Sequence, residues 1–232
     1  MRMVSLGDST NLHFKMDKDQ IIHKTEEFIK SKLTGEASGH DLWHVYRVWK
    51  MAVQIAKLEQ VDIFVVELGA LLHDIADWKF NEGDEEIGPA LARKWLESIA
   101  VDENIIIHVC LIIRDISFKG AGVATAMKTK EGMIVQDADR LDAMGAIGIS
   151  RAFAYGGSKG REMFNPAMKP EKHDSFEQYK NSRGSTINHF YEKLLLLKGL
   201  MNTETAKKTA QNRHDVMEKF LNDFYLEWEG ND

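Results

Sequence analysis

The chain has one cysteine, Cys110, in 232 residues. A single thiol cannot close an internal disulfide, so a disulfide scaffold is excluded and a reducing compartment fits. It lies in "IIIHVCLII" and reads as a small buried apolar residue rather than a reactive thiol. Prolines are almost as scarce: Pro89, Pro166 and Pro170 are all there are. With so few breakers, long stretches keep a helical period, and no hairpin signal or alternating strand pattern competes with them. No uninterrupted apolar run approaches the roughly 18 residues of a membrane span. Residues 1–20 lack the continuous apolar segment of a signal peptide, and the cytoplasm is the expected location. An excess of positive charge is missing too. Thirty Lys and Arg stand against 36 Asp and Glu, for a net charge of −6. That balance excludes a general binder of nucleic-acid polymers or membranes. A phosphate-bearing substrate would need local positive charge or a metal.

The apolar residues, 44% of the chain, are enough for a sizeable core, and the 28% charged residues fit a soluble globular protein. The length favours one domain spanning residues 1–232. The fold class read from the periodicity is all-α. Helices are expected near 17–32, 41–58, 62–78, 84–99, 103–116, 130–155, 175–197 and 203–228. The one near 130–155 is weakened in its middle by Gly145 and Gly148 and splits into two as an alternative. In the last helix, Ala206, Ala210, Arg213, Met217, Phe220, Phe224 and Trp228 fall on one stripe. Core docking is the first reading of this stripe, a homodimer contact the second. Arg213 on that stripe needs a partner, with a carboxylate the first expectation. The longest irregular segment, residues 156–174, reads either as a lid or binding loop or as a mobile, solvated surface loop.

Three segments place polar groups on apolar faces. In "GALLHDIADWKF" (69–80), a helix would put Val66, Ala70, His73 and Asp77 on one stripe, with Asp74 within about 100° of arc. In "SGHDLWHVYRVWKMA" (38–52), His40, His44 and Arg47 share a face that continues through Val48, Met51 and Ile55. In "IVQDADRLDAMGAIGISRA" (134–152), Val135, Asp139, Asp142 and Ala146 share a stripe while Asp137 points to the far side. Two carboxylates on an apolar stripe repel unless a cation or protons lie between them. His44, His73, Asp74 and Asp139 together offer two imidazoles and two carboxylates. That donor set suits one divalent ion such as Mn²⁺, Co²⁺, Ni²⁺, Fe²⁺ or Mg²⁺. A closed structural zinc site would use thiolates, and Cys110 alone cannot supply them.

The order His44, His73-Asp74, Asp139, with spacings of 29 and 65 residues, resembles the HD superfamily of metal-dependent phosphohydrolases. The surrounding words match as well: "HVYRV", "LLHDIAD" and "DADRLDAMG". Segments such as "DISFKG" and "INHFYEKLLLLKGLMNTETA" are similar to the small stand-alone bacterial members. The resemblance implies an HD-domain helical bundle with a long C-terminal helix. Its metal-site core would lie at about residues 20–155 and its C-terminal helical extension at about 175–232. It also implies a metal held by His44, His73, Asp74 and Asp139, and phosphate ester or anhydride hydrolysis, often in nucleotides. Asp77 falls where related nucleotidases place a catalytic acid. Two-metal variants use extra histidines between the doublet and the last aspartate. Only His108 lies in that interval, so one ion is expected.

A metal would lower the pKa of a bound water, and Asp77 would orient that water or shuttle its proton. The competing role for Asp77 is to orient an imidazole. Arg47, Lys79 and Lys119 are the candidates to balance phosphate charge, each with a structural ion pair or surface charge as its alternative. His40, Asp41 and Asp142 are expected to support the metal site without binding the ion. His108 reads as a hydrogen-bonded core residue, and a place for His189 near the pocket rests on the resemblance alone. The expected substrate is a small phosphorylated metabolite, a nucleotide first. The rival readings are a non-catalytic metal- or nucleotide-binding regulatory module and a di-iron oxygenase.

Overall fold

Short polar side chains set where most of the helices begin. Asp41, Asp62, Asp102, Thr129, Ser185 and Thr203 each accept a hydrogen bond from a backbone N–H two or three residues on. Each satisfies a donor that has no partner inside its own helix. The structure, a computed structural model, describes residues 16–33, 41–76, 86–116, 127–171 and 184–231. Among these, all regular structure is helical: α1 (Lys18–Leu33), α2 (Leu42–Ala56), α3 (Ile63–Leu72), α4 (Ile87–Ser98), α5 (Glu103–Asp115), α6 (Lys130–Asp142), α7 (Gly145–Ser158), α8 (Thr186–Glu192) and α9 (Glu204–Glu229). A 3₁₀ segment, Leu194–Leu200, links the last two. The all-α expectation holds. No described helix is long and apolar enough to cross a membrane.

The central helix is α3. Phe64, Val65, Val66 and the run Leu68–Leu72 are all buried, and Glu67, accepting from Trp49 Nε1, is the one charged residue on the helix. It packs against α1, α2, α5 and α6. Gly69 allows the close approach: a Cβ there would lie 3.4 Å from Val135 of α6 and 3.5 Å from Ile112 of α5. Helices α2 and α6 lie against each other, and α4 pairs with α5. The long α9 packs on α6, α7 and the 3₁₀ segment. One hydrophobic cluster runs from Ile21 of α1 to Leu221 of α9.

Three expected helices end or break early. The one near 62–78 stops at Leu72, so His73 and Asp74 occupy the turn that follows it rather than its last turn. The one near 130–155 divides after Asp142. Gly145 adopts φ +66°, and a Cβ there would lie 3.0 Å from Arg213 Cγ, so both backbone and space call for glycine. The one near 175–197 is helical in the described residues only over Thr186–Glu192, after which the chain tightens into the 3₁₀ segment.

Two further expectations are sharpened. On α9 the buried face is Ala206, Ala210, His214, Met217 and Leu221, which is core docking; Trp228 is half exposed. Part of the irregular 156–174 segment is a fastened strap. The Glu162 and Met163 carbonyls accept from Thr186 N and Ile187 N at 2.9 and 3.0 Å. Asn188 Nδ2 donates to the Met168 carbonyl, and Glu171 N to the Glu192 carboxylate. Phe164 meets Phe224, Tyr225 and Trp228 edge-on, with ring centroids 4.9–5.7 Å apart. Over 162–171 these contacts tether the segment to α8 and α9.

Candidate metal centre

Each of three helices delivers its polar group through a local feature. Asp41 caps α2, its carboxylate accepting from His44 N at 2.8 Å. That fixes His44 in the first turn, fully buried on the core side. At the other end of α3 the last carbonyls lack intrahelical donors. His73 uses one of them: its Nδ1–H donates to the Ala70 carbonyl at 2.8 Å. In α6, Asp139 stands on the half-buried side, while its neighbours Ile134, Val135, Ala138 and Leu141 are buried.

These placements bring four donors together. His44 Nε2 lies 3.3 Å from His73 Nε2, 3.2 Å from Asp74 Oδ2 and 3.5 Å from Asp139 Oδ1. His73 Nε2 lies 3.5 Å from Asp74 Oδ2 and 4.0 Å from Asp139 Oδ1. Ligands about 2.1 Å from an octahedral ion sit roughly 3.0 Å from their neighbours and farther from the ligand opposite. The spacing therefore fits an ion of that size. The chemistry fits as well. Both Nδ1 atoms are spent on acceptors, His73 on Ala70 O and His44 on Asp142 Oδ2 at 2.7 Å. Both Nε2 atoms are thus turned toward each other and toward two carboxylates, an arrangement that needs a cation or protons at its centre. Among the described residues, His44, His73 and Asp139 have donor atoms within 4.8 Å of one another and could hold an ion; Asp74 lies outside this tighter group and joins it through its contacts to the two imidazoles.

Behind His44 lies Asp142, which is buried and heavily engaged. Its Oδ2 accepts from His44 Nδ1, from Arg47 Nη2 at 3.0 Å and from Arg151 Nη1 at 2.7 Å; its Oδ1 accepts from Arg47 Nε at 2.7 Å. Burial pushes its carboxyl up, but the His44 and Arg47 hydrogen bonds outweigh this and hold it well below the usual carboxylate range. Burial likewise opposes the charged form of His44, yet Asp142 and Asp74 push its imidazole up to about 9.

Several sequence expectations meet other partners. Arg47 forms the structural ion pair with Asp142, which was its alternative reading. Arg213 donates to the Leu141 carbonyl at the end of α6, not to a carboxylate. His108 Nε2 bonds Thr129 Oγ1 at 2.9 Å. The Cys110 thiol donates to the Pro89 carbonyl, and burial pushes its pKa up, against a reactive role. Asp137 points away from the centre, as its helical phase requires. It accepts from the backbone and side chain of both Asn202 and Thr203 at 2.8–2.9 Å. His40, Asp77, Lys79 and Lys119 lie outside the described residues. Arg151 was not foreseen. Helical phase carries no signal for it, because the break after Asp142 resets the phase.

With this geometry in place, comparison with known proteins identifies the family. The HD domain family model matches residues 42–144, a span holding all four converging donors. Over 195 residues the chain is 37% identical to YpgQ of Bacillus subtilis, covering 84% of this chain and 87% of that protein. The chain belongs to the HD superfamily. A solved HD-superfamily hydrolase from Bacillus thuringiensis is 46% identical, with a TM-score of 0.73 over 92% of this chain and 99% of that one. The structure of Bacillus subtilis YpgQ in complex with ADP aligns with a TM-score of 0.72 and 32% identity, over 90% of this chain and 95% of that one. At the superfamily level the HD chain is thus allied to hydrolases, and HD domains bind divalent metals.

Proposed function

We propose that this HD protein is a metal-dependent phosphohydrolase acting on a small phosphorylated metabolite, with a nucleotide as the first candidate. The observation that carries the reading is the convergence of His44, His73, Asp74 and Asp139 with both Nε2 atoms facing inward. These four residues would hold one divalent ion, of the Mn²⁺, Co²⁺, Ni²⁺, Fe²⁺ or Mg²⁺ type. When bound, the ion supplies Lewis-acid polarisation of a phosphate oxygen and makes water acidic enough to attack near neutral pH. Asp142 and the Ala70 carbonyl accept at the two Nδ1 atoms, so that each imidazole would offer Nε2 to the ion. Asp77, three residues after Asp74, moves the proton of the attacking water. Lys79 and Lys119 balance charge on the phosphate. Binding of ADP by the relative YpgQ supports a nucleotide.

The test is a nucleotide panel run with each metal in turn, reading inorganic phosphate and pyrophosphate separately. Release of either by the wild type is expected, which also fixes the bond cleaved. Asp77→Ala should lower that release about 100-fold or more while bound metal stays near one per chain. Metal uptake without release of either product across the panel would instead make the protein a non-catalytic metal- or nucleotide-binding regulatory module.

A further inference from the structure

A buried carboxylate has about four lone-pair sites to fill. Asp142 takes four hydrogen bonds from two other helices, three on Oδ2 and one on Oδ1: from His44 and Arg47 of α2, the latter twice, and from Arg151 of α7. The Asp142 side chain is 5% exposed, while those of Arg47 and Arg151 are 35% and 25% exposed. The two guanidinium groups therefore stand between the carboxylate and water. Held on both oxygens, the carboxylate cannot rotate, and the His44 ring that donates to it cannot rotate either.

Arg151 reaches this carboxylate only because of the break in the chain. In one unbroken helix, position 151 would lie nine residues beyond Asp142, about 180° around the axis and roughly 13 Å along it. The turn at Ala143–Met144 and the positive φ of Gly145 fold the chain back, and Arg151 Nη1 comes to 2.7 Å from Asp142 Oδ2. Such a contact is not a surface pair of little weight, because one partner is buried and bonded to a ligand of the metal centre.

We propose that Arg151, together with Arg47, is a positioning residue: through Asp142 the two arginines fix the His44 imidazole as a ligand, so that α7 sets how tightly the centre holds its ion. This rests on the metal-dependent reading above. Two guanidinium groups keep Asp142 a pure acceptor in a fixed plane. The acceptor keeps the proton on His44 Nδ1, and the fixed plane aims Nε2 at the other three donors. Loss of Arg151 removes one of the three donors that hold Oδ2, opens that side of the carboxylate to water and loosens the ring.

The test is direct Mn²⁺ titration followed by electron paramagnetic resonance of the free ion, for wild type, Arg151→Gln and Arg151→Lys. It is paired with the visible absorption spectrum of the Co²⁺-loaded proteins. Arg151→Gln is expected to bind Mn²⁺ about 10-fold more weakly at unchanged stoichiometry and to shift the Co²⁺ bands. Arg151→Lys, which keeps a charged donor, is expected to recover most of both. A merely structural role would lower the melting temperature of the metal-free protein and leave the Co²⁺ bands in place. A glutamine variant that binds Mn²⁺ within twofold of wild type with an unchanged Co²⁺ spectrum overturns the proposal, whatever its melting temperature. Where Arg151→Gln fails to fold, Arg47→Gln is judged by the same criteria. Wild-type protein that takes up no ion overturns the metal-centre reading and this proposal together; equal uptake by wild type and variant overturns this proposal alone.

Discussion

His44 lies between two carboxylates, Asp142 on its Nδ1 side and Asp74 on its Nε2 side. Without an ion, the hydrogen bonds to Asp142 and then Asp74 favour the doubly protonated ring, and the imidazole rises to about 9 despite its burial. The ordinary value is about 6.5. Its charged form therefore stabilises the metal-free fold fully below about 6.5, and that contribution is lost as pH rises through about 9. Asp142 works in the opposite sense. Its depressed carboxyl contributes above the ordinary carboxylate range and loses that contribution on acidification. An ion that takes the Nε2 lone pair must displace the proton. Mn²⁺ affinity should accordingly weaken as pH falls below about 9, with about one proton released per ion at pH 7. Calorimetry in two buffers of different ionisation enthalpy measures that proton; an uptake enthalpy independent of the buffer would count against His44 as a ligand. The four donors were legible as residues because helical phase puts His44 and Asp139 on apolar faces. His73 and Asp74 were legible by a partly wrong route. Helical phase places them in a continuing helix, whereas α3 ends at Leu72 and His73 bonds the Ala70 carbonyl. Arg151 was illegible, because its approach to Asp142 depends on a turn that no periodicity encodes.

At the scale of elements, the clearest case is how α9 is anchored. Asp137 of α6 is buried and receives two backbone and two side-chain hydrogen bonds from Asn202 and Thr203, the residues that start α9. Burial pushes its carboxyl up, and these bonds oppose the shift. Asp137→Ala should cost about 3 kcal/mol, since it strands several donors in a buried site. Chemical denaturation measures that loss. Mn²⁺ stoichiometry should be unchanged, because Asp137 faces away from the centre. Helical phase makes the direction of Asp137 legible but not its partners, the first of which lies 65 residues away. Helix starts were close to expectation where an Asp or Thr caps them, as at Asp102 and Thr203. The break after Asp142 was legible as the alternative that Gly145 and Gly148 suggest, whereas the end at Leu72 was not, because tertiary contacts decide it. Arg213 occupies the space that a side chain at position 145 would need.

At the scale of the molecule, the centre ties α2, α3 and α6 together, and the same three helices pack on one another through the core. An ion held only by the folded chain stabilises it by mass action. Mn²⁺ at about 100 times its dissociation constant should add about 2.7 kcal/mol, read as a rise in melting temperature that a chelator reverses. No such rise for wild type, against a control divalent ion such as Ca²⁺, would weaken the metal reading. The all-α class was legible at this scale because proline is scarce and apolar residues recur at helical spacing. The strap over 162–171 was not legible, since its hydrogen bonds run to α8, about twenty residues on.

The donor set also has a history in time. His44 and His73 are 29 residues apart, but Asp142, which orients His44, is 98 residues away on α6. The cost of closing a loop rises with its length, so the nearer pair can meet before α6 arrives. An ion held by all four donors would find its complete cage only after α6 has docked. Saturating Mn²⁺ should therefore slow unfolding many-fold and leave the refolding rate almost unchanged, as stopped-flow measurements with and without the ion would show. In the cell, the ion would then act less as a guide to folding than as a latch that keeps the finished molecule from opening.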